Sequence, residues 1–240
     1  MKAHGGKSIY GAAVGILMLE TRFPRIRGDL GNARTWPFPV LYRVVAGASP
    51  ERVVRRRADG LLDDFIAAGR QLLADGADGI TTNCGFLSLF QHKLADALQA
   101  PVATSSLLQA PLVDKLLPPG RRCGILTISA SDLARDHLEK AGCRADTPVE
   151  GMPDDGEFSQ AILNDRLELD TSIARQENVE AARKLANNHS DLGAIVLECT
   201  NMAPYAADIR AAVGVPVFSM YSFIAWFQQG LMPERDFGRR

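Results

Sequence analysis

The feature that most constrains the fold of this chain is a repeated unit: a short apolar run, a cysteine and, further on, a Pro-Val pair. Residues 79–84 end the first run at Cys84, and residues 194–199 end the second at Cys199. The interval between the two cysteines also separates Pro101-Val102 from Pro216-Val217. Matched spacing over this length predicts an internal duplication of a strand–cysteine–helix–strand unit.

Apolar runs alternate with amphipathic segments along the rest of the chain, which predicts parallel sheets with helices on both faces. Strands are predicted at 9–19, 41–46, 102–104 and 215–219, at the two runs that end in cysteine and from Cys123 onward; helices are predicted at 57–74, 86–98, 107–117, from 129 to 140, and at 158–188, 203–213 and 223–231. The breaker Pro118-Pro119-Gly120 marks a boundary. The prediction is an α/β fold in two similar halves related by a pseudo-twofold axis, formed by residues 1–117 plus 218–240 and by residues 118–217.

Composition excludes several classes of protein. The 240 residues are 46% hydrophobic with a formal net charge of −1, which gives no basic field for nucleic acid or an anionic membrane. No stretch approaches the roughly 20 apolar residues of a membrane span, and no signal peptide is evident, so we expect a cytoplasmic protein. Four scattered cysteines without Cys-x-x-Cys or paired-histidine spacing predict free thiols and no metal site.

Both repeated cysteines are predicted to lie where a strand ends and a helix begins. Ligands of parallel sheets bind outside the carboxyl ends of the strands, so Cys84 and Cys199 are expected on opposite walls of one cleft. The positive end of each following helix is expected to favour the thiolate. One thiolate would remove a proton from a carbon and the other thiol would return one to the opposite face, which inverts a stereocentre.

The alternative for any single cysteine is a buried structural role, because cysteine is among the most buried residue types. Cys123 and Cys143 lack polar neighbours of this kind and are assigned to the core. His92, His137 and His189 have no evident cysteine partner, so a Cys–His nucleophile is not predicted. The long loop at 22–39 carries four arginines, which are either solvated or able to hold an anion: Arg22, Arg25, Arg27 and Arg34.

The motifs Thr82-Asn83-Cys84-Gly85 and Glu198-Cys199-Thr200-Asn201, in two repeated halves, resemble the cofactor-independent aspartate/glutamate/hydantoin racemase superfamily. The resemblance covers nearly the whole chain. It implies two flavodoxin-like halves, a homodimer or higher homo-oligomer, no cofactor, and a small-molecule substrate with a carboxylate or carbonyl held between the halves. It also implies that Cys84 and Cys199 are catalytic and that seven residues contact substrate: Thr21, Asn83, Gly85, Phe86, Ser129, Thr200 and Asn201.

The chain departs from this family at three places. Glutamate racemases typically have Asn-Thr after the first cysteine and Thr-His after the second, where this chain has Gly85-Phe86 and Thr200-Asn201. Glu20-Thr21 stands where an Asp-Ser pair is usual after the first strand. These departures argue against peptidoglycan-type glutamate racemisation and leave the substrate open.

The leading hypothesis is a racemase or epimerase that inverts a carbon next to a carboxylate or carbonyl, acting on an amino acid such as aspartate or glutamate, or on a hydantoin. Relatives of this kind that use one thiol are decarboxylases or double-bond isomerases, so an arylmalonate-decarboxylase-like or maleate-isomerase-like reaction is the alternative. A non-catalytic, two-lobed small-molecule binding protein is the third hypothesis, although such a protein needs no paired thiols.

Overall fold

The computed structural model describes residues 4–233 and contains, within that range, two four-stranded parallel sheets. The first sheet has the order β2-β1-β3-β4, with β1 Val14–Leu19, β2 Val40–Val45, β3 Gly79–Thr82 and β4 Val102–Ala103. The second has the order β6-β5-β7-β8, with β5 Arg122–Thr127, β6 Val149–Gly151, β7 Leu192–Leu197 and β8 Val217–Phe218. The equivalent orders confirm the predicted α/β fold of two similar parallel-sheet halves.

The described residues form eight α-helices: α1 Leu62–Asp75, α2 Gln91–Leu98, α3 Ala110–Leu116, α4 Arg135–Lys140, α5 Glu157–Leu163, α6 Thr171–Asn188, α7 Ala206–Val213 and α8 Met220–Leu231. The two cysteine motifs have the same local structure. Each cysteine is extended and is followed at once by a 3₁₀-helix, Gly85–Phe90 after Cys84 and Thr200–Tyr205 after Cys199. The duplication in the sequence is therefore also a duplication of backbone conformation at the strand ends.

The helix that follows each sheet in the chain packs on the other sheet. Ala110 and Val113 of α3 pack with Cys123 and Val196, which belong to the second sheet, although α3 follows the first sheet in the chain. Conversely, α8 follows the second sheet, and its Met220 and Ile224 pack on first-sheet residues such as Val14 and Ile16. The division into 1–117 plus 218–240 and 118–217 stays a prediction, with α3 lying on the sheet of the other half.

Several boundaries differ from the sequence-based expectation. β1 begins at Val14 rather than at residue 9, and the helix expected from 57 begins at Leu62 after a π-helical turn, Glu51–Arg55. The helix expected from 129 is confined to α4. β6 was not predicted, because three residues carry no readable period.

The single helix predicted at 158–188 is two helices. Asp165 lies between them with a φ of 52°, a left-handed conformation that a continuous helix does not contain. Asp170 then starts α6, because its side chain accepts hydrogen bonds from the backbone N–H groups of Ser172 and Ile173. The break turns the chain back towards the loop that follows β1.

No helix within residues 4–233 combines the length and the hydrophobicity needed to cross a lipid bilayer.

Candidate active site

The two repeated cysteines line one cavity between the halves. Cys84 follows β3 and Cys199 follows β7, so both lie beyond the carboxyl ends of central strands. The space between atoms here is about 370 Å³ including open solvent, of which about 20 Å³ can hold the centre of a water-sized molecule. Cys84 is half-buried and Cys199 is only 7% exposed. The prediction that the folded chain brings the two thiols to one site therefore agrees with the geometry, while their catalytic role stays a prediction.

Five of the seven predicted substrate-contacting residues line this cavity beside the cysteines: Asn83, Gly85, Phe86, Thr200 and Asn201. Most of the other lining side chains are apolar: Leu19, Phe23, Pro50, Val54, Ile128, Ile162 and Leu163. Phe86 also packs edge-on against His137, with 5.2 Å between ring centroids. The site is thus a small, mostly apolar chamber with a few polar groups.

Thr21 and Ser129 are not among the residues that line the cavity. Thr21 accepts a hydrogen bond of 2.7 Å from the Arg25 guanidinium. Ser129 donates one of 2.7 Å to the Asp132 carboxylate and accepts one of 3.3 Å from the Asp132 backbone N–H. In this structure Thr21 supports Arg25, and Ser129 stabilises the turn that follows β5.

Asn83 and Thr200 join the halves at the floor of the cavity. The Thr200 hydroxyl donates a 2.6 Å hydrogen bond to the Asn83 carbonyl, across the boundary between the two halves. The Asn83 side-chain oxygen accepts one of 2.7 Å from the Leu19 backbone N–H at the end of β1. These buried bonds hold the ends of β1 and β3 and the second cysteine motif in a fixed arrangement.

The positively charged residue of the cavity is Arg25. It is the one cation among the described lining residues, and it was only one of four arginines that the sequence placed in the long loop. Its guanidinium donates a 2.9 Å hydrogen bond to Asp29 and lies 4.5 Å from the Phe23 ring centroid. Asp29, which is 2% exposed, also accepts a hydrogen bond from the Asn201 side chain of the other half. The ion pair with Asp29 holds the Arg25 guanidinium in a fixed position beside the cavity.

A contact from the second half holds the Arg25 loop in place. The Asp165 side-chain oxygen accepts hydrogen bonds from the backbone N–H groups of Arg22, at 2.6 Å, and Phe23, at 3.0 Å. Phe23 is 5% exposed and lines the cavity. The loop that follows β1 is thereby attached to the segment between α5 and α6.

Glu198 is the residue of the site that the sequence left without a role. It directly precedes Cys199, is fully buried and lines the cavity. One carboxyl oxygen, Oε2, accepts a 2.7 Å hydrogen bond from the Thr127 hydroxyl. The other, Oε1, has no hydrogen-bond partner among the described residues. The sequence could have indicated a functional role for Glu198, because it directly follows the apolar run of β7 and carboxylates are rarely buried without a cation.

The predicted lowering of the thiol pKa values is wrong for this closed site. Burial, followed by the nearby Glu198 carboxylate, raises the pKa of Cys84 to about 12. The same two causes raise the pKa of Cys199 well above its ordinary value. Hydrogen bonds from the Phe86 and Asn201 backbone N–H groups act in the expected direction but are outweighed. Both thiols are therefore protonated at neutral pH in this structure.

Burial likewise raises the pKa of Glu198 to about 7, with hydrogen bonds from Thr127 and the Ile128 backbone N–H acting against the rise. The site consequently holds three acids whose pKa values are raised, namely Cys84, Cys199 and Glu198. Within residues 4–233 no group of three or more His, Cys, Asp or Glu side chains is arranged to hold a metal ion.

No protein-family model matches the chain. Two curated relatives are similar over nearly its whole length. Dimethylsulfoniopropionate lyase 7 of Emiliania huxleyi (strain CCMP1516) is 29% identical over 236 residues, which cover 94% of this chain and 69% of that protein. The dimethylsulfoniopropionate lyase of Durusdinium sp. clade D is 25% identical over 235 residues, which cover 95% and 77%.

Solved structures with the same fold include a decarboxylase and two racemases. Arylmalonate decarboxylase superimposes with a TM-score of 0.63 at 16% identity, over 94% of this chain and 95% of that one. Allantoin racemase from Pseudomonas fluorescens gives 0.58 at 17% identity, over 94% and 100%. The chain has the fold of the aspartate/glutamate/hydantoin racemase superfamily. Glutamate racemase from Bacillus anthracis, of the same superfamily, gives 0.56 at 18% identity, over 93% and 85%.

The superfamily fold accounts for the position of the cavity. In each half the cysteine follows the third strand in chain order, β3 or β7, which is central in its sheet. The relatives and neighbours are named as lyases, racemases and a decarboxylase. All five of these proteins are thus named as enzymes.

Proposed function

We propose that the protein is a cofactor-independent enzyme in which a cysteine thiolate removes a proton from the carbon next to the carboxylate of a small acid. The observation that carries the proposal is that Cys84, Cys199 and Arg25 line a single cavity. Arg25 binds the carboxylate, and its positive charge stabilises the negative charge that develops when the neighbouring carbon loses its proton. Cys84 and Cys199 are the candidate bases.

The first candidate outcome is elimination. Dimethylsulfoniopropionate carries a carboxylate and, on the carbon two positions away, a dimethylsulfonium group. Loss of the proton next to the carboxylate, with cleavage of the carbon–sulfur bond, forms acrylate and dimethyl sulfide, and the thiolate keeps the proton. The two curated relatives with this activity in their names align with 94% and 95% of the chain, which supports this outcome.

The walls of the cavity also favour a methylated cation over an amino acid. A sulfonium group donates no conventional hydrogen bonds and is attracted to aromatic faces. Phe23, Phe86 and the aliphatic lining residues provide such a surface. An ammonium group would instead need several hydrogen-bond acceptors.

The second candidate is the racemase or epimerase of the sequence analysis, and the observation that favours it is the presence of two thiols. If the substrate has no leaving group, the carbanion is protonated from the opposite face by the second thiol. An amino acid such as aspartate or glutamate, or a hydantoin, is then the substrate. A decarboxylase uses the same carbanion but needs only one thiol as proton donor.

The test compares these outcomes in one series. The protein is incubated with dimethylsulfoniopropionate, and release of dimethyl sulfide is measured by gas chromatography. It is also incubated in D₂O with amino acids and hydantoins, with hydrogen exchange measured by NMR, and with aryl malonates, with formation of the deuterated decarboxylated acid measured by NMR. Cys84→Ala and Cys199→Ala are expected to abolish inversion, and one of them abolishes elimination while the other retains it. Cys143→Ala, at a half-buried cysteine outside the cavity, is the control. Full activity of the double variant Cys84→Ala/Cys199→Ala in any assay overturns the proposal.

A further inference from the structure

The duplication provides an internal comparison for Glu198. Asn83 precedes Cys84 as Glu198 precedes Cys199, so the two residues are equivalent in the repeat. Their backbones make equivalent bonds, from the Asn83 N–H to the Leu17 carbonyl at 3.0 Å and from the Glu198 N–H to the Leu126 carbonyl at 2.8 Å. Because the backbone bonds are equivalent, the backbone does not explain why one residue is Asn and the other is Glu, and the reason must lie in the surroundings of the side chains.

At this position of the repeat, the fold needs one side-chain oxygen that accepts a hydrogen bond. In the first half, Asn83 meets it with its amide oxygen, which accepts the Leu19 N–H. In the second half, Glu198 meets it through hydrogen bonds from Thr127 and the Ile128 N–H. Glu198 still has Oε1 in excess, buried in the cavity without a partner among the described residues. A neutral amide would satisfy the fold, so the ionisable carboxyl group needs another explanation.

The charges around Glu198 do not supply that explanation. The titratable groups that interact electrostatically with Glu198 are Cys84 and Cys199, in the segments that follow β3 and β7. The other charged groups of the site follow β1: Arg25 lines the cavity and acts on Cys84, and Asp29 acts on Cys199. Arg25 forms its ion pair with Asp29 and not with Glu198. The remaining neighbours are the two thiols, both of which interact electrostatically with the carboxylate.

We propose that Glu198 is the internal proton acceptor of the site: a cysteine S–H bond breaks, the proton moves to the Glu198 carboxylate, and a thiolate forms beside a neutral carboxylic acid. The cavity carries one negative charge before and after this step. Forming a thiolate by loss of a proton to water, with Glu198 already ionised, would place two negative charges in a buried chamber. The transfer avoids that second charge and makes the thiolate available as a base.

This role rests on the proposed function, because it activates the same thiols. It adds that the two cysteines share one proton carrier, through which a proton taken up by one thiol can be passed on. Glu198 acts through the thiols and does not need to touch the substrate.

The test measures thiolate formation without any substrate, so it does not depend on whether the substrate has been found. The rate of Cys84 alkylation by iodoacetamide is followed against pH by peptide mass spectrometry. In the native protein the rate is expected to level off above about pH 7, because the carboxyl and the thiol together lose only one proton in this range. In Glu198→Gln it should continue to rise about tenfold per pH unit, because no carboxyl group shares that proton.

Cys143, in the same samples, is the internal control, and its profile should be the same in both proteins. Thr127→Val is a second variant that keeps the carboxyl group but removes one hydrogen bond to its charged form, so the levelling-off should move to higher pH. Parallel Cys84 profiles in the native protein and Glu198→Gln overturn the proposal. If Glu198→Gln does not fold, an unchanged profile in Thr127→Val overturns it.

Failure of the proposed function would give a different result. Loss of the levelling-off in Glu198→Gln, together with full activity of the double cysteine variant, would retain the proton transfer and remove the cysteines from catalysis. If the cysteine variants lose activity while the Cys84 alkylation profiles of the native protein and Glu198→Gln are parallel, the cysteines stay catalytic and the proton transfer to Glu198 is removed.

Discussion

The Glu198 carboxyl group lies against the α-carbon of Gly85, the residue after the other cysteine. A methyl group added at Gly85 would stand 2.9 Å from the Glu198 side-chain Cδ and closer still to its Oε1 and carbonyl oxygens. The first motif therefore has glycine at position 85 because Glu198 of the second motif occupies the space that a side chain would need. Gly85, which departs from the residue usual in glutamate racemases, is explained by the carboxyl group packed against it.

The first prediction concerns this contact. Gly85→Ala should destabilise the protein by about 1–3 kcal/mol, because backbone as well as side-chain atoms block the added methyl group. It should also lower activity by displacing Glu198 and Cys84. Urea unfolding measures the first effect. Gly230→Ala, within α8 where an added Cβ meets nothing within 4 Å, is the matched control and should be neutral or stabilising. Equal stability of the two variants would contradict the account of Gly85.

The second prediction follows from the raised pKa of Glu198. Its ordinary value is 4.5 and its value in the fold is about 7. Between these two pH values the folded state binds more protons than the unfolded state, so stability falls as pH rises. The contribution is complete below about pH 4.5 and lost above about pH 7, and it amounts to roughly 3 kcal/mol. Urea unfolding of native protein and Glu198→Gln at several pH values should therefore show a difference that changes by this amount. A difference independent of pH would contradict it.

The third prediction assigns substrate affinity to Arg25. Arg25→Lys should raise KM about 10- to 100-fold with a smaller effect on kcat, because lysine cannot contact Asp29, Thr21 and a carboxylate with one fixed fork of donors. Steady-state kinetics on the substrate found in the screen provide the measurement. Arg27→Lys, at an exposed position of the same loop, should leave KM unchanged. An unchanged KM in Arg25→Lys would show that Arg25 does not bind the substrate carboxylate.

The fourth prediction concerns the attachment of the loop that follows β1. Asp165→Gly keeps the left-handed backbone, which glycine adopts without strain, but removes the acceptor for the Arg22 and Phe23 N–H groups. Amide hydrogen exchange of the 22–39 loop should become faster, and KM should rise. Asp165→Asn, which retains an acceptor oxygen and tolerates the same conformation, should stay close to native. Identical exchange in all three proteins would mean that Asp165 does not hold the loop.

The sequence predicted those parts of the site that belong to the repeated strand–cysteine unit. Cys84 and Cys199 were placed together because parallel strands bring their carboxyl ends to one edge, and that rule needs no knowledge of side-chain contacts. The α/β class followed from alternating periods in the same way. Thr21 and Ser129, by contrast, came from resemblance alone, and in the structure each has a local partner instead of the cavity.

The ionisation of the thiols was predicted with the wrong sign. Helix termini are visible in a sequence, but the depth of burial and the carboxylate of Glu198 result from packing of the two halves against each other. The same holds for Arg25, which could not be separated from Arg22, Arg27 and Arg34 by composition. Only the position of Asp29 and the path of the loop select it.

The exchange of α3 and α8 has a consequence for motion. Each of these helices covers the sheet of the half to which it does not belong in chain order, so separating the halves would strip both sheets of an apolar cover. A hinge motion that moves the two halves apart is therefore costly. A fragment that contains one half alone would expose one apolar face of its sheet. The two helices thus tie the halves together, and binding of a small molecule is expected to involve local adjustment around the cavity rather than separation of the halves.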